Sequence, residues 1–124
     1  MTANLPHPDI DQLVLANLMG ALADDKRLAM ISYLAGMGKP ELTCSQFSDF
    51  ASKTALSYHL GKLREAGLVR VRPEGTRRFV SLRTEDLDAR FPGLIDAVVR
   101  NAAPFRLRNE QIATIEAGEV EASR

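Results

Sequence analysis

The side chains able to do chemistry gather in residues 45–83. Lys53, Thr54, Ser57, Tyr58, His59 and Lys62 follow one another closely enough to share a helix, and Arg72, Arg77 and Arg78 come shortly afterwards, on both sides of Glu74-Gly75. Hydroxyls, a phenol and cations are hydrogen-bond donors. On one helix they suit the base edges and phosphates of duplex DNA, whose major groove admits an α-helix and shows a distinct donor and acceptor pattern for each base pair. Thr54 and Ser57 can reach base edges or nearby phosphate, and Lys53 can reach guanine acceptors or phosphate. Tyr58 can add a hydroxyl contact to packing against a thymine methyl or a sugar, or can instead pack on a neighbouring helix. His59, beside Leu60, either donates to phosphate or lies half buried. No nucleophile, base and orienting group assemble in the sequence and no glycine-rich phosphate loop occurs, so nothing points to an enzyme.

The charge distribution agrees with this reading. The 124 residues carry 16 basic and 16 acidic side chains, which removes any argument from net charge. Yet Lys53 to Arg83 holds eight basic residues against Glu65 and Glu74, a local +6 balanced by −6 elsewhere. A chain so divided suits one phosphate-facing surface and another that does not hold DNA.

The elements that must position these residues follow from period and punctuation. After the Pro6-His7-Pro8 lead, Asp9 can cap a first helix in which Ile10, Leu13, Val14, Ala16, Leu18 and Met19 cover more than one face, with Gly20 as a weak interior break. Asp24 caps a second helix through Leu28, Ile31 and Leu34, which stops at Gly36-Met37-Gly38-Lys39-Pro40. Thr43 or Ser45 starts a short third helix with Phe47 and Phe50. Ser52 caps a fourth, in which Leu56, Leu60 and Leu63 share one side and the donors fall mainly elsewhere, and Gly67 ends it. Two short helices joined through Asp49–Ser52 have the organisation of a helix-turn-helix. The period then changes. Val69 and Val71 alternate with Arg70 and Arg72, Pro73-Glu74-Gly75-Thr76 reverses the chain, and Phe79 to Leu82 return as a strand, making a basic hairpin or wing. Thr84 caps a last segment that Pro92 interrupts before the strongly apolar Leu94, Ile95, Ala97, Val98 and Val99.

The expected fold is therefore mainly α with a small β-hairpin, a winged helix-turn-helix. Residues 1–8 are expected to be a flexible lead, residues 9–101 a DNA-binding and dimerisation domain, and residues 102–124 a partly mobile extension in which Ile112 and Ile115 are too sparse to build a core. Two strongly apolar terminal helices exceed what so small a domain can cover, so Leu13, Val14, Leu18, Leu94, Ile95 and Val98 are expected to pair with a second copy. The alternative is that the two helices pack against each other within one chain.

Residues 21–83, and more loosely through Val99, resemble the ArsR/SmtB family of bacterial winged-helix transcriptional regulators. The marks are Ala21-Leu22-Ala23-Asp24-Asp25-Lys26-Arg27-Leu28, then Ser57-Tyr58-His59-Leu60 with Leu63-Arg64-Glu65-Ala66-Gly67-Leu68-Val69, then Glu74-Gly75 with Arg77 and Arg78. They cover about half the chain, in order and at matching spacing. The resemblance implies a homodimer joined mainly by its first and last helices, with two recognition helices on a near-palindromic operator in double-stranded DNA. It also implies a repressor that leaves DNA when an inducer binds.

The residues do not identify an inducer. Cys44 is the only thiol, and no histidine accompanies Asp86, Asp88 or Asp96, which is poor material for a transition-metal site, so no metal and no cofactor is expected. Cys44 reads first as a small core or helix-start residue, with a redox switch and a metal ligand as lesser alternatives. A small organic ligand between subunits and control by protein abundance both stay open. No apolar run approaches the roughly 18–20 residues needed to cross a membrane, and no leader pattern opens the sequence, so a cytoplasmic protein without a membrane partner is expected. The rival function is a winged-helix module for protein–protein contact, which would show little salt-dependent retention on duplex DNA.

Overall fold

Helix α1 spans Leu15–Leu22, shorter than the apolar pattern predicts, in a computed structural model that describes residues 5–102. The Asp9 N–H donates to Gln12 Oε1 (2.7 Å), but what begins there is one 3-10 turn, Ile10–Gln12, and Leu13 and Val14 are extended before α1 starts. The interruption has a tertiary cause. Leu13 is drawn into the core against Gly67, and its carbonyl accepts from Arg90 Nε (3.2 Å).

Helix α2, Asp25–Gly36, starts at the predicted cap: the Asp24 carboxylate accepts from the N–H groups of Lys26 (2.9 Å) and Arg27 (3.0 Å), two donors that the first turn otherwise leaves unpaired. Its inner face, with Met30, Ile31 and Leu34, is buried. Strand β1, Leu42–Thr43, is absent from the sequence reading, because two residues carry no alternation to recognise. The short third helix is a 3-10 turn, Cys44–Phe47. Helix α3, Lys53–Ala66, begins at Ser52, whose Oγ accepts from Ala55 N–H (3.2 Å). It ends as a Schellman cap, with Leu68 N–H donating to the Leu63 carbonyl (2.9 Å) and Gly67 left-handed at φ 92°. A Cβ at Gly67 would also run into the Leu13 side chain, so this position requires glycine twice over.

Strands β2, Val69–Glu74, and β3, Arg77–Leu82, pair antiparallel with Val69 opposite Leu82 and Glu74 opposite Arg77, and the sheet order is β1-β3-β2. The turn is tighter than predicted: only Gly75-Thr76 lies between the strands, with Gly75 at φ 63° in the first central position. Pro73 is thus a strand residue, tolerated because β2 is an edge and needs no donor there. Helix α4, Thr84–Arg90, takes Arg83 rather than Thr84 as its N-cap residue, and helix α5, Leu94–Asn101, follows the predicted break at Pro92. The result is a mainly α fold with a small antiparallel sheet, as a winged helix-turn-helix requires.

The described part of the N-terminal lead is docked. Pro6 and Pro8 carbonyls accept from Arg64 (2.6 Å) and Arg83 (2.8 Å), and His7 Nε2 accepts the outward N–H of Val71 (3.0 Å) on the open edge of β2. At the other end Ala102 is buried. The expectation of a mobile extension otherwise falls on residues 103–124, outside the described residues.

Candidate nucleic-acid interface

Helix α3 is held from behind and open in front. Leu56, Leu60, Leu63 and Ala66 bury its inner face, and an aromatic cluster fixes the segment that precedes it: Tyr33 of α2 meets Phe47 and Phe50 edge-on, with centroids 5.6 and 5.4 Å apart. Lys26 Nζ donates to the Phe50 carbonyl (2.7 Å), so the turn into α3 is also tied to the start of α2.

In front of α3 lies an open groove of about 1010 Å³ whose other wall is the β2–β3 hairpin. Lys53, Ser57, Gly61 and Arg64 form the stripe of α3 that faces it, Ser45 and Ser48 contribute from the 3-10 turn, and Thr76, Arg77 and Arg78 come from the hairpin. Thr54, Tyr58 and Lys62 make the neighbouring stripe, one residue round the helix. Tyr58 is 59% exposed, with Lys62 Nζ 5.5 Å from its ring centroid. The structure thus gathers Lys53, Ser57, Arg77 and Arg78 around one groove, and sets Thr54, Tyr58 and Lys62 on its outer shoulder. Ser45, Ser48, Gly61 and Arg64 were missed as groove residues. The i, i+4 step from Ser57 pointed to Gly61, while the serines carried no local signal.

The basic surplus is partly consumed by the fold. Arg72 bonds the Glu41 carboxylate through two nitrogens (2.8 and 3.1 Å), pairs with Glu74 and stacks on Phe79, 4.6 Å from the ring centroid. The Arg72 guanidinium in turn holds the Glu41 carboxyl below its ordinary range. Arg83, its side chain 3% exposed, pairs with Asp86 (2.9 Å), which also meets Arg70 at 3.5 Å. Among the described residues Lys53, Lys62, Arg77 and Arg78 are exposed and make no salt bridge. His59 is turned inward, 9% exposed, with Nδ1 3.0 Å from an Arg27 nitrogen, so of the two readings its sequence allowed the structure places it against the scaffold.

Of the apolar residues expected between subunits, Leu13, Leu18 and Ile95 are buried in the chain's own core. Val14 is 49% exposed, Leu94 and Val98 are half buried, and Leu15 and Met19 (52% exposed) add to the apolar surface of α1. Cys44 lines the groove half buried, and burial pushes its thiol up, against the pull of the Arg78 charge. His7, Cys44 and His59 lie in three different places: on the β2 edge, in the 3-10 turn and against α2.

A helix-turn-helix domain family matches residues 22–72, the span from the end of α1 through the first part of the hairpin. An uncharacterized HTH-type transcriptional regulator of Bacillus subtilis, YceK, is 37% identical over 90 residues, covering 71% of this chain and 89% of YceK. Among solved structures, HlyU from Vibrio cholerae shares 32% identity at a TM-score of 0.55, covering 68% of this chain and 87% of HlyU. A possible transcriptional regulatory protein from Mycobacterium bovis, as a fragment of residues 1–100, shares 31% identity at a TM-score of 0.56, covering 69% of this chain and 90% of that one. With α3 and a basic hairpin facing one groove, and with these relatives covering most of their own length, this chain belongs to the winged helix-turn-helix family of DNA-binding transcriptional regulators related to YceK and HlyU.

Proposed function

We propose that the chain is a repressor that binds a near-palindromic operator as a homodimer, in the manner of the ArsR/SmtB family its sequence resembles. The observation carrying this reading is the groove between α3 and the hairpin, where Lys53, Ser57, Arg77 and Arg78 converge and, among the described residues, no carboxylate lines the wall. Thr54, Ser57 and Tyr58 are assigned to base edges, and Lys53, Lys62, Arg77 and Arg78 to phosphates or, for Lys53, guanine. Arg72 is assigned to bracing the hairpin against Glu41, and His59 to the scaffold.

A second copy is the partner suited to the exposed Val14 just before α1, the exposed Leu15 and Met19 of α1 and the half-buried Leu94 and Val98 of α5, since a two-fold axis would cover apolar surface and duplicate the recognition helix. Such a regulator acts in the cytoplasm. A small-molecule inducer between subunits is compatible with this arrangement, and its chemistry stays open. The test is selection of bound duplexes from a random pool, with sedimentation of the tag-free protein. The expected results are enriched half-sites about one helical turn (~10 bp) apart and a dimer mass. No enriched sequence would sink the operator. A monomer at tens of micromolar with full binding would sink the dimer.

A further inference from the structure

We propose that Arg27 is a positioning residue for DNA reading, setting the angle of α3 by joining the end of α1 to the middle of α3 through His59. This inference rests on the reading of α3 as the recognition helix.

The Arg27 guanidinium donates through Nε to the Ala21 carbonyl (2.6 Å), in the last turn of α1, and through a terminal nitrogen to His59 Nδ1 (3.0 Å). Its own backbone N–H is bound by the Asp24 cap, so the base of the side chain is anchored where α2 begins. A guanidinium only donates and stays charged, so Nδ1 must offer its lone pair and the proton of the neutral ring must sit on Nε2. The His59 ring in turn lies edge-to-face with Tyr58 on the exposed stripe, centroids 5.8 Å apart.

Two neighbouring cations therefore hold α3 at two points. Lys26 holds its entry at the Phe50 carbonyl, and Arg27 holds its middle at His59. The buried contacts of Leu56, Leu60 and Leu63 are strong but non-directional, and permit small rotations of the helix about its axis. A hydrogen bond to one ring nitrogen adds a directional restraint, because it prefers an angle above about 150° and weakens steeply below about 120°. Rotation about that axis is the motion that moves Thr54, Ser57 and Tyr58 relative to base edges. It would leave loosely held phosphate contacts almost unchanged.

The experiment compares the selected duplex with its scrambled counterpart. Arg27→Met and His59→Leu should each lose about tenfold in discrimination, as expected for a hydrogen bond to a charged group, while binding to the scrambled duplex and its salt dependence stay as they were. His59→Gln, whose amide oxygen can accept from Arg27, should restore most of that loss. The double variant should be no worse than either single one. Independently of DNA, nitrogen NMR of the unaltered protein should show Nδ1 of His59 unprotonated, and Arg27→Met should mix the tautomers. Folded single variants that discriminate as before, or a protonated Nδ1 in the unaltered protein, would overturn the proposal. An unaltered protein that cannot tell the duplex from its scramble would overturn the DNA-reading itself, and the role of Arg27 with it, whatever the tautomer.

Discussion

The partition of the basic residues into free and paired ones has a measurable consequence in the salt dependence of DNA binding. Each phosphate neutralised on duplex DNA contributes about 0.9 to the slope of log affinity against log salt. Lys53, Lys62, Arg77 and Arg78 are the cations assigned to phosphate, which makes a slope near −3.6 per chain and about −7 for two copies. Between about 50 and 200 mM salt, affinity should then fall by about four decades. Replacing Arg77 and Arg78 with alanine removes half of these cations, so the same rise in salt should cost only about two decades. Arg72→Gln is the control, because Glu41 and Glu74 already balance that charge, and it should leave the slope nearly unchanged. Fluorescence anisotropy titrations of a labelled duplex across that salt range measure all three slopes. A slope untouched by the loss of Arg77 and Arg78 would refute the reasoning, as would an Arg72→Gln slope reduced as much as theirs.

Gly67→Ala should destabilise the fold by about 2–4 kcal/mol, from left-handed strain together with overpacking against the buried Leu13, and thermal melting should show a fall of about 10 °C or more. Gly61→Ala should do the reverse for stability, raising it by about 0.5–1 kcal/mol because its Cβ meets nothing among the described residues within 4 Å, yet weaken duplex binding because that Cβ enters the groove; unchanged binding would argue against DNA approaching α3 at that point. Burial, with the charges of Arg70, Arg64 and Arg83, lowers the pKa of His7 below its ordinary 6.5, so the docked lead should contribute stability that is full above that value and is lost as pH falls through the lowered one. Exchange protection of the Val71 amide should follow this profile and lose it in His7→Ala. Tag-free protein should hold no stoichiometric metal and should bind duplex equally with chelator. Because the Cys44 thiol is raised, an oxidant response that disappears in Cys44→Ser would overturn its reading as a packing residue.

Helices α2 and α3 were legible from sequence to within a residue at their starts, because what starts and stops them is local. Asp24 and Ser52 cap N–H groups two or three residues on, and Gly67 supplies a left-handed cap whose hydrogen bonds are local. The hairpin was legible for the same reason, since alternation and a glycine turn are short-range signals. The candidate DNA face could therefore be drawn as a set of residues on one helix and one wing. What the sequence could not settle was which of those residues were already engaged. Arg72 meets Glu41, Arg70 meets Asp86, and His59 meets Arg27, pairings that exist only once separate elements have packed. The break at Leu13 was hidden likewise, because it answers to Gly67 and Arg90 rather than to its neighbours. Local hydrogen bonds and periodicity determine which elements form. The choice of partner for each charged side chain is made by packing, where burial raises the cost of an unpaired charge and only the folded geometry decides which carboxylate is near enough.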